Sequence, residues 1–269
     1  MSRTVMLMLA LWVGLVTGLA YGAQSAATAP ARQSVADPNA LDTVLKSLQH
    51  RVAALKSYQV HMDYVFQQPL LESQQRRTGM LCYAKLGDQS FLRIDFETLQ
   101  QDEEKPQPYR QQYLFDGVWL LEVDHQLQSA TRRQLAEPNR PLDAFSLASK
   151  HVPVLGFSQV EDLRKQFEIS LVPAPPDLPA PAPHLHLKVK PDSVYKDDYV
   201  SLDFWIDCQT GLPARVHAVT PEEDVYEIKL TDPKVNTELD HKLFRIEIPR
   251  RYSEQVIPLV KRPPDRPRP

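Results

Sequence analysis

Residues 200–208 read V-S-L-D-F-W-I-D-C. Val200, Leu202, Phe204, Ile206 and Cys208 fall on one side, and Ser201, Asp203, Trp205 and Asp207 on the other. A strand turns successive side chains to opposite faces, so this is a strand with one apolar and one mostly wet face. Downstream, residues 212–219 follow across the turn Gln209-Thr210-Gly211, and residues 225–231 and 243–249 complete the C-terminal set. In the last of these, Phe244, Ile246 and Ile248 share a face. Upstream, strands are expected around Ile169 and Leu171, and around Leu185, Leu187 and Val189.

The N-terminal half repeats the pattern. Tyr58, Val60, Met62, Tyr64 and Phe66 alternate with polar residues. Residues 78–86 form a strand of unclear phase, because Leu81 and Tyr83 compete with Met80, Cys82 and Ala84. Leu92, Ile94 and Phe96 oppose Arg93 and Asp95. Tyr113 and Phe115 lead into Asp116-Gly117, a strong hairpin signal. Residues 118–123 leave that turn as V-W-L-L-E-V, and residues 128–135 pair next.

Helices frame these strands. Asp37 can cap the first and Pro38 suits its first turn. Leu41, Val44, Leu45, Leu48, Val52 and Leu55 then give it one apolar stripe. Residues 142–150 look helical, and Ser158 with Glu161 forms a capping box ahead of residues 160–167. The tally is about 11 strands and about three helices. Short turns make the strands antiparallel, and so many one-sided strands curl into a barrel or split into a sandwich. A sandwich needs no helices. The expected fold is therefore mainly β with α: a curved, half-open antiparallel barrel covered by helices.

Composition is that of a globular protein, with 42% hydrophobic and 24% charged residues. A net charge of −3 gives no electrostatic case for nucleic acid. Arg3 precedes an uncharged apolar run over residues 5–20, and small residues follow it. That layout predicts a cleaved secretory signal over residues 1–29, with a membrane anchor as the alternative. The first Cys is Cys82, so no lipid-modified N-terminal Cys is available and a periplasmic protein without a lipid anchor is expected. Residues 38–251 read as the folded domain, with a Pro-rich loop at 172–183 that could also be a linker. Residues 252–269 read as a disordered Pro/Arg-rich tail, or as a partner motif.

Several segments resemble the periplasmic lipoprotein carrier superfamily, which includes LolA, LolB, LppX and RseB. They are L-K-S-Y-Q-V-H-M-D-Y-V-F-Q-Q (55–68), the strand opened by Gly79, F-L-R-I-D-F (91–96), Y-L-F-D-G-V-W-L-L-E-V-D (113–124), W-I-D-C-Q-T-G-L-P-A-R-V (205–216) and F-R-I-E-I-P (244–249). Their order along residues 40–250 carries the resemblance, and the layout is most similar to LolA-type carriers. It implies an incomplete barrel with a helical lid and an acyl-binding cavity. The implied function is a non-catalytic, monomeric carrier of acylated lipoproteins or lipids toward the outer membrane. Its partners would be an inner-membrane release complex and an outer-membrane acceptor. An RseB-like envelope sensor is the alternative, and an exported lipid hydrolase a third.

On this resemblance the cavity is lined by Val60, Met62, Tyr64, Phe66, Leu92, Ile94, Phe96, Tyr113, Phe115, Trp119, Leu121, Phe204 and Ile206. The plain alternative is an ordinary core. LolA-type carriers place a latch Arg after the second strand. Lys85 stands there in this chain, as a lid latch or a solvated turn residue, and Lys cannot form a bidentate fork. Cys82 and Cys208 are a disulfide candidate in an oxidising compartment, or two free thiols. No catalytic or cofactor motif appears. His184 and His186 share a strand face as a possible metal pair or as solvent-facing polar residues, and Glu222, Glu223 and Asp224 read as a solvated turn.

Overall fold

Among the described residues, alternation of the kind seen at 200–208 builds a single open, curved sheet of twelve strands. The computed structural model describes residues 38–144, 160–172 and 182–259. The first half of the sheet is a meander: β1 (Ser57–Gln68), β2 (Ser73–Leu86), β3 (Gln89–Gln101), β4 (Gln107–Phe115), β5 (Trp119–Asp124) and β6 (Ser129–Gln134). The second is another: β7 (Phe167–Val172), β8 (His184–Val189), β9 (Ser201–Ile206), β10 (Pro213–Val219) and β11 (Val225–Val235). They join where β1 pairs antiparallel with β11. A last strand, β12 (Ser253–Ile257), adds to β6 and is parallel to it. The order β12-β6-β5-β4-β3-β2-β1-β11-β10-β9-β8-β7 does not close, as the half-open reading expected.

Local chemistry sets the turns. Asp116 Oδ1 accepts from the backbone N–H of Val118 (3.0 Å) and Trp119 (2.7 Å), beside Gly117 at φ +93. Asp207 Oδ1 accepts from Gln209 N–H and from both the N–H and hydroxyl of Thr210, beside Gly211 at φ +69. Such Asx turns tie the chain reversal to one carboxylate.

Two described helices flank the sheet: α1 (Pro38–Ala53) and α2 (Val160–Gln166). The signal at 1–29, Asp37, most of the 142–150 helix, Ser158, most of the Pro-rich loop and the tail from residue 260 lie outside the described residues. Among the described residues, no helix is long and apolar enough to cross a membrane.

The sheet is buried on both faces along part of its width. Leu81 and Tyr83 belong to the main core, whereas Cys82 and Ala84 belong to a second cluster with Met80 packed against it. The unclear phase of β2 is thus a true property of a strand with two buried faces. The second cluster is covered by the C-terminal segment, through Phe244, Ile246, Ile248 and Tyr252. Residues 243–249 are not a strand, contrary to the reading from alternation. His241–Phe244 is a 3₁₀ turn, and Arg93 Nη1 donates to the carbonyls of Leu243 and Arg245. A side chain, not a neighbouring strand, satisfies those carbonyls. The tail also differs from expectation, since Ser253–Ile257 pairs with β6 and covers what would otherwise be an exposed edge.

Cys82 is buried and Cys208 exposed, and neither is bridged. Cys82 lies in β2 and Cys208 just past the end of β9, four places away in the sheet order, and strand spacings of about 4.8 Å put them far beyond disulfide reach. Burial, followed by the Asp95 charge, pushes the Cys82 thiol up to about 11.

Candidate functional site

The main cluster occupies one face of the sheet. Helix α1 lays Leu45, Leu48 and Val52 onto it, with Leu55 following. Val60, Met62, Tyr64, Phe66, Phe96, Tyr113, Phe115, Phe204 and Ile206 are buried there, and Leu92 and Ile94 pack at its margin. These side chains touch one another. Phe66 stacks on Tyr226 with centroids 4.8 Å apart, and Phe96 meets Tyr113 edge-on at 6.3 Å. Val200, expected on the same side, is exposed.

Two expected lining residues face elsewhere. Leu121 lies in the second cluster, and Trp119, two residues before it, shares its side of the strand. Phe115 pairs with Leu120, and directly opposed residues share a face. Leu120, not Leu121, therefore packs against the main cluster. Lys85 is exposed, and among the described residues its side chain makes no hydrogen bond or ion pair. Its backbone N–H donates to Lys56 O at 2.7 Å.

A cavity of about 680 Å³ opens on the same face beyond the apolar cluster. Its walls come from β2 to β6 and β12, and none of the residues expected to line a cavity borders it. Most of its lining residues carry a polar group, although much of the wall they present is apolar. Arg77 is 4% exposed, with its guanidinium carbon 5.6 Å from the ring centres of both Phe96 and Tyr109. Arg77 Nη1 donates to Gln111 Oε1 at 2.7 Å. Gln111 Nε2 and the Tyr113 hydroxyl in turn donate to Glu122 Oε1 at 3.1 and 3.3 Å. Burial raises the Glu122 carboxyl above its ordinary value. Asp124 accepts from the Tyr109 hydroxyl at 2.8 Å and from the N–H groups of Gln126 and Leu127. The cavity signal was present in the sequence: Arg77 is in phase with Leu81 and Tyr83, and Glu122 with Leu120.

The opposite face carries the histidines. His184 Nε2 and His186 Nδ1 both donate to Asp203 Oδ1, at 2.7 and 2.9 Å, and His217 Nδ1 stands 3.8 Å from Oδ2. Burial alone would raise the Asp203 carboxyl, but the bonds from His184 and His186, with His217 close by, hold it well below the usual range. The bond to Asp203 raises His186. Trp205, expected on the wet side, is buried between His184, stacked at 4.4 Å, and Arg215 at 4.6 Å.

Fold and cavity define an open-sheet β protein with a helix-covered apolar face and a polar cavity beside it. No family profile matches the chain, and no curated protein matches it. Among solved structures it is similar to an uncharacterized conserved protein from Thermus thermophilus (10% identity, 82% of this chain and 99% of that one, TM-score 0.49). It is also similar to the Mycobacterium tuberculosis lipoprotein LppX (12% identity, 76% and 99%, TM-score 0.44). A third likeness is to the Pseudomonas aeruginosa MucA/MucB complex (14% identity, 76% and 60%, TM-score 0.43). The chain spans 60% of that matched chain.

Proposed function

We propose that this chain is an exported, non-catalytic binding protein that carries acylated lipoproteins or related lipids through the aqueous envelope toward the outer membrane. The observation that supports it is the unclosed sheet, whose apolar face lies under α1 and opens into a cavity of about 680 Å³. That volume suits a ligand rather than a packing defect. Each acyl CH₂ taken out of water contributes about 0.8 kcal/mol, so part of one chain suffices for useful affinity. In this reading α1 is the movable cover, docked mainly by Leu45, Leu48 and Val52. An ion pair from Arg164 to Asp42 ties it to α2.

The test is mass spectrometry of full-length protein released gently from the periplasm, with a lipoprotein-release assay on spheroplasts. Co-purifying acyl lipid or lipoprotein, and release above a buffer control, are expected. An empty protein that releases nothing would end the carrier reading.

A further inference from the structure

Arg77 is the unusual group of the cavity. It is 4% exposed, yet among the described residues no carboxylate lies within ion-pair distance of it. A buried guanidinium without a counter-charge is costly, and proteins normally pair it. Aromatic rings and one amide hold it here instead, and its Nε–H has no partner. Arg133, on the same cavity wall, also buries an Nε–H without a partner.

Glu122 is near enough to feel the Arg77 charge, but no nearby acid bonds the guanidinium directly. Glu122 accepts from Gln111 and Tyr113, and Asp124 from Tyr109 and two backbone N–H groups. Glu122 Oε1 and both Asp124 oxygens are thus engaged by other donors, while the Nε–H groups of Arg77 and Arg133 are left over. A surplus of donors on the wall of a hollow of about 680 Å³ is the chemical complement of an oxyanion. The wall also includes Leu99, Leu127 and Ile257, and it adjoins the apolar cluster through Phe96 and Tyr113.

We propose that Arg77, with Arg133, forms an oxyanion subsite that takes the carboxylate or phosphate of an amphiphile whose chain lies along the apolar face. The amphiphile rests on the carrier reading; the oxyanion subsite does not. Arg77 is pre-organised for this role. The rings of Phe96 and Tyr109 fix its plane, and Gln111 fixes its rotation. Little side-chain freedom is left to lose on binding.

The full-length protein is titrated by calorimetry with oleate, oleyl alcohol and inorganic phosphate, for the wild type, Arg77→Met and Arg77→Lys. Oleate should bind the wild type at least about tenfold more tightly than oleyl alcohol, the scale of one charge-assisted hydrogen bond. Arg77→Met should remove that preference and leave oleyl alcohol unchanged, with Arg77→Lys between. Equal binding of oleate and oleyl alcohol by the wild type overturns the subsite while the carrier reading stands, and this comparison needs no variant to fold. If neither amphiphile binds, the carrier reading fails. Phosphate binding lost in Arg77→Met would then still support the subsite for a free anion, and its absence would overturn it.

Discussion

Replacing Gly79 with alanine tests the packing that holds the cavity's first wall. Gly79 sits at a bulge where β2 changes register against β3. A Cβ there would lie 1.9 Å from Asp95 O, 2.8 Å from Asp95 C and 2.9 Å from Phe96 Cα. All three are backbone atoms, so no side chain can swing aside. Ordinary contact begins near 3.4 Å, so β3 must retreat by about 1.5 Å. Against a strand spacing of about 4.8 Å, that breaks local ladder bonds. Asp95 resists the retreat, because its carboxylate is held by Arg93 and Gln112. Overpacking of about 1–3 kcal/mol and about one lost hydrogen bond outweigh a backbone-entropy gain of about 0.5–1 kcal/mol. The net loss is about 2–3 kcal/mol. In urea, with a slope of about 2–3 kcal/mol/M, the midpoint should fall by about 1 M. Gly87→Ala is the control: its Cβ meets nothing within 4 Å, and only φ +63 opposes it, at about 1 kcal/mol. A Gly79→Ala midpoint within about 0.2 M of the wild type, or above that of Gly87→Ala, would refute the reasoning.

Two other predictions concern the charged and thiol groups. His186 is raised by Asp203, so its contribution is present below the unfolded value of about 6.5 and lost as pH rises through the folded one. Asp203 is held low, so its contribution is present above about 3.9 and lost as pH falls toward its folded value. The cluster therefore stabilises most between about pH 4 and 6.5, and Asp203→Asn should lower the urea midpoint more at about pH 5.5 than at about pH 8.5. Equal losses at both would contradict the bonding described. Ellman's reagent should titrate Cys208 promptly in native protein and Cys82 only in urea, given the burial and raised thiol of Cys82. Prompt reaction of both thiols would place Cys82 at the surface.

Much of the fold was legible because period-2 alternation is strong wherever one face is apolar. Residues 58–66, 92–96 and 202–206 show it plainly, and Asp116-Gly117 and Gln209-Thr210-Gly211 mark their turns. Alternation failed where both faces are covered, as at Met80–Ala84, and where a side chain replaces a strand, as Arg93 does at Leu243 and Arg245. The cavity was hidden for a different reason. Its lining is Gln, Arg, Glu and Thr, types that read as solvated on a strand, and only their phase with Leu81 and Leu120 betrays an inward face. Trp119 and Leu121 were misplaced because alternation was followed without the pairing that sets Leu120 opposite Phe115.

The parallel strand β12 has a consequence for ligand access. It reaches β6 only after the C-terminal segment has crossed the second cluster, and its partners stand 124 residues earlier in the chain. Contacts so distant in sequence form late, and a strand bonded on one side only is among the first to fray. Yet Gln255 and Ile257 of that strand are part of the cavity wall. The hollow is therefore bounded on one flank by an edge strand of the sheet. Peeling that strand away would open a side door to Arg77 without moving a helix.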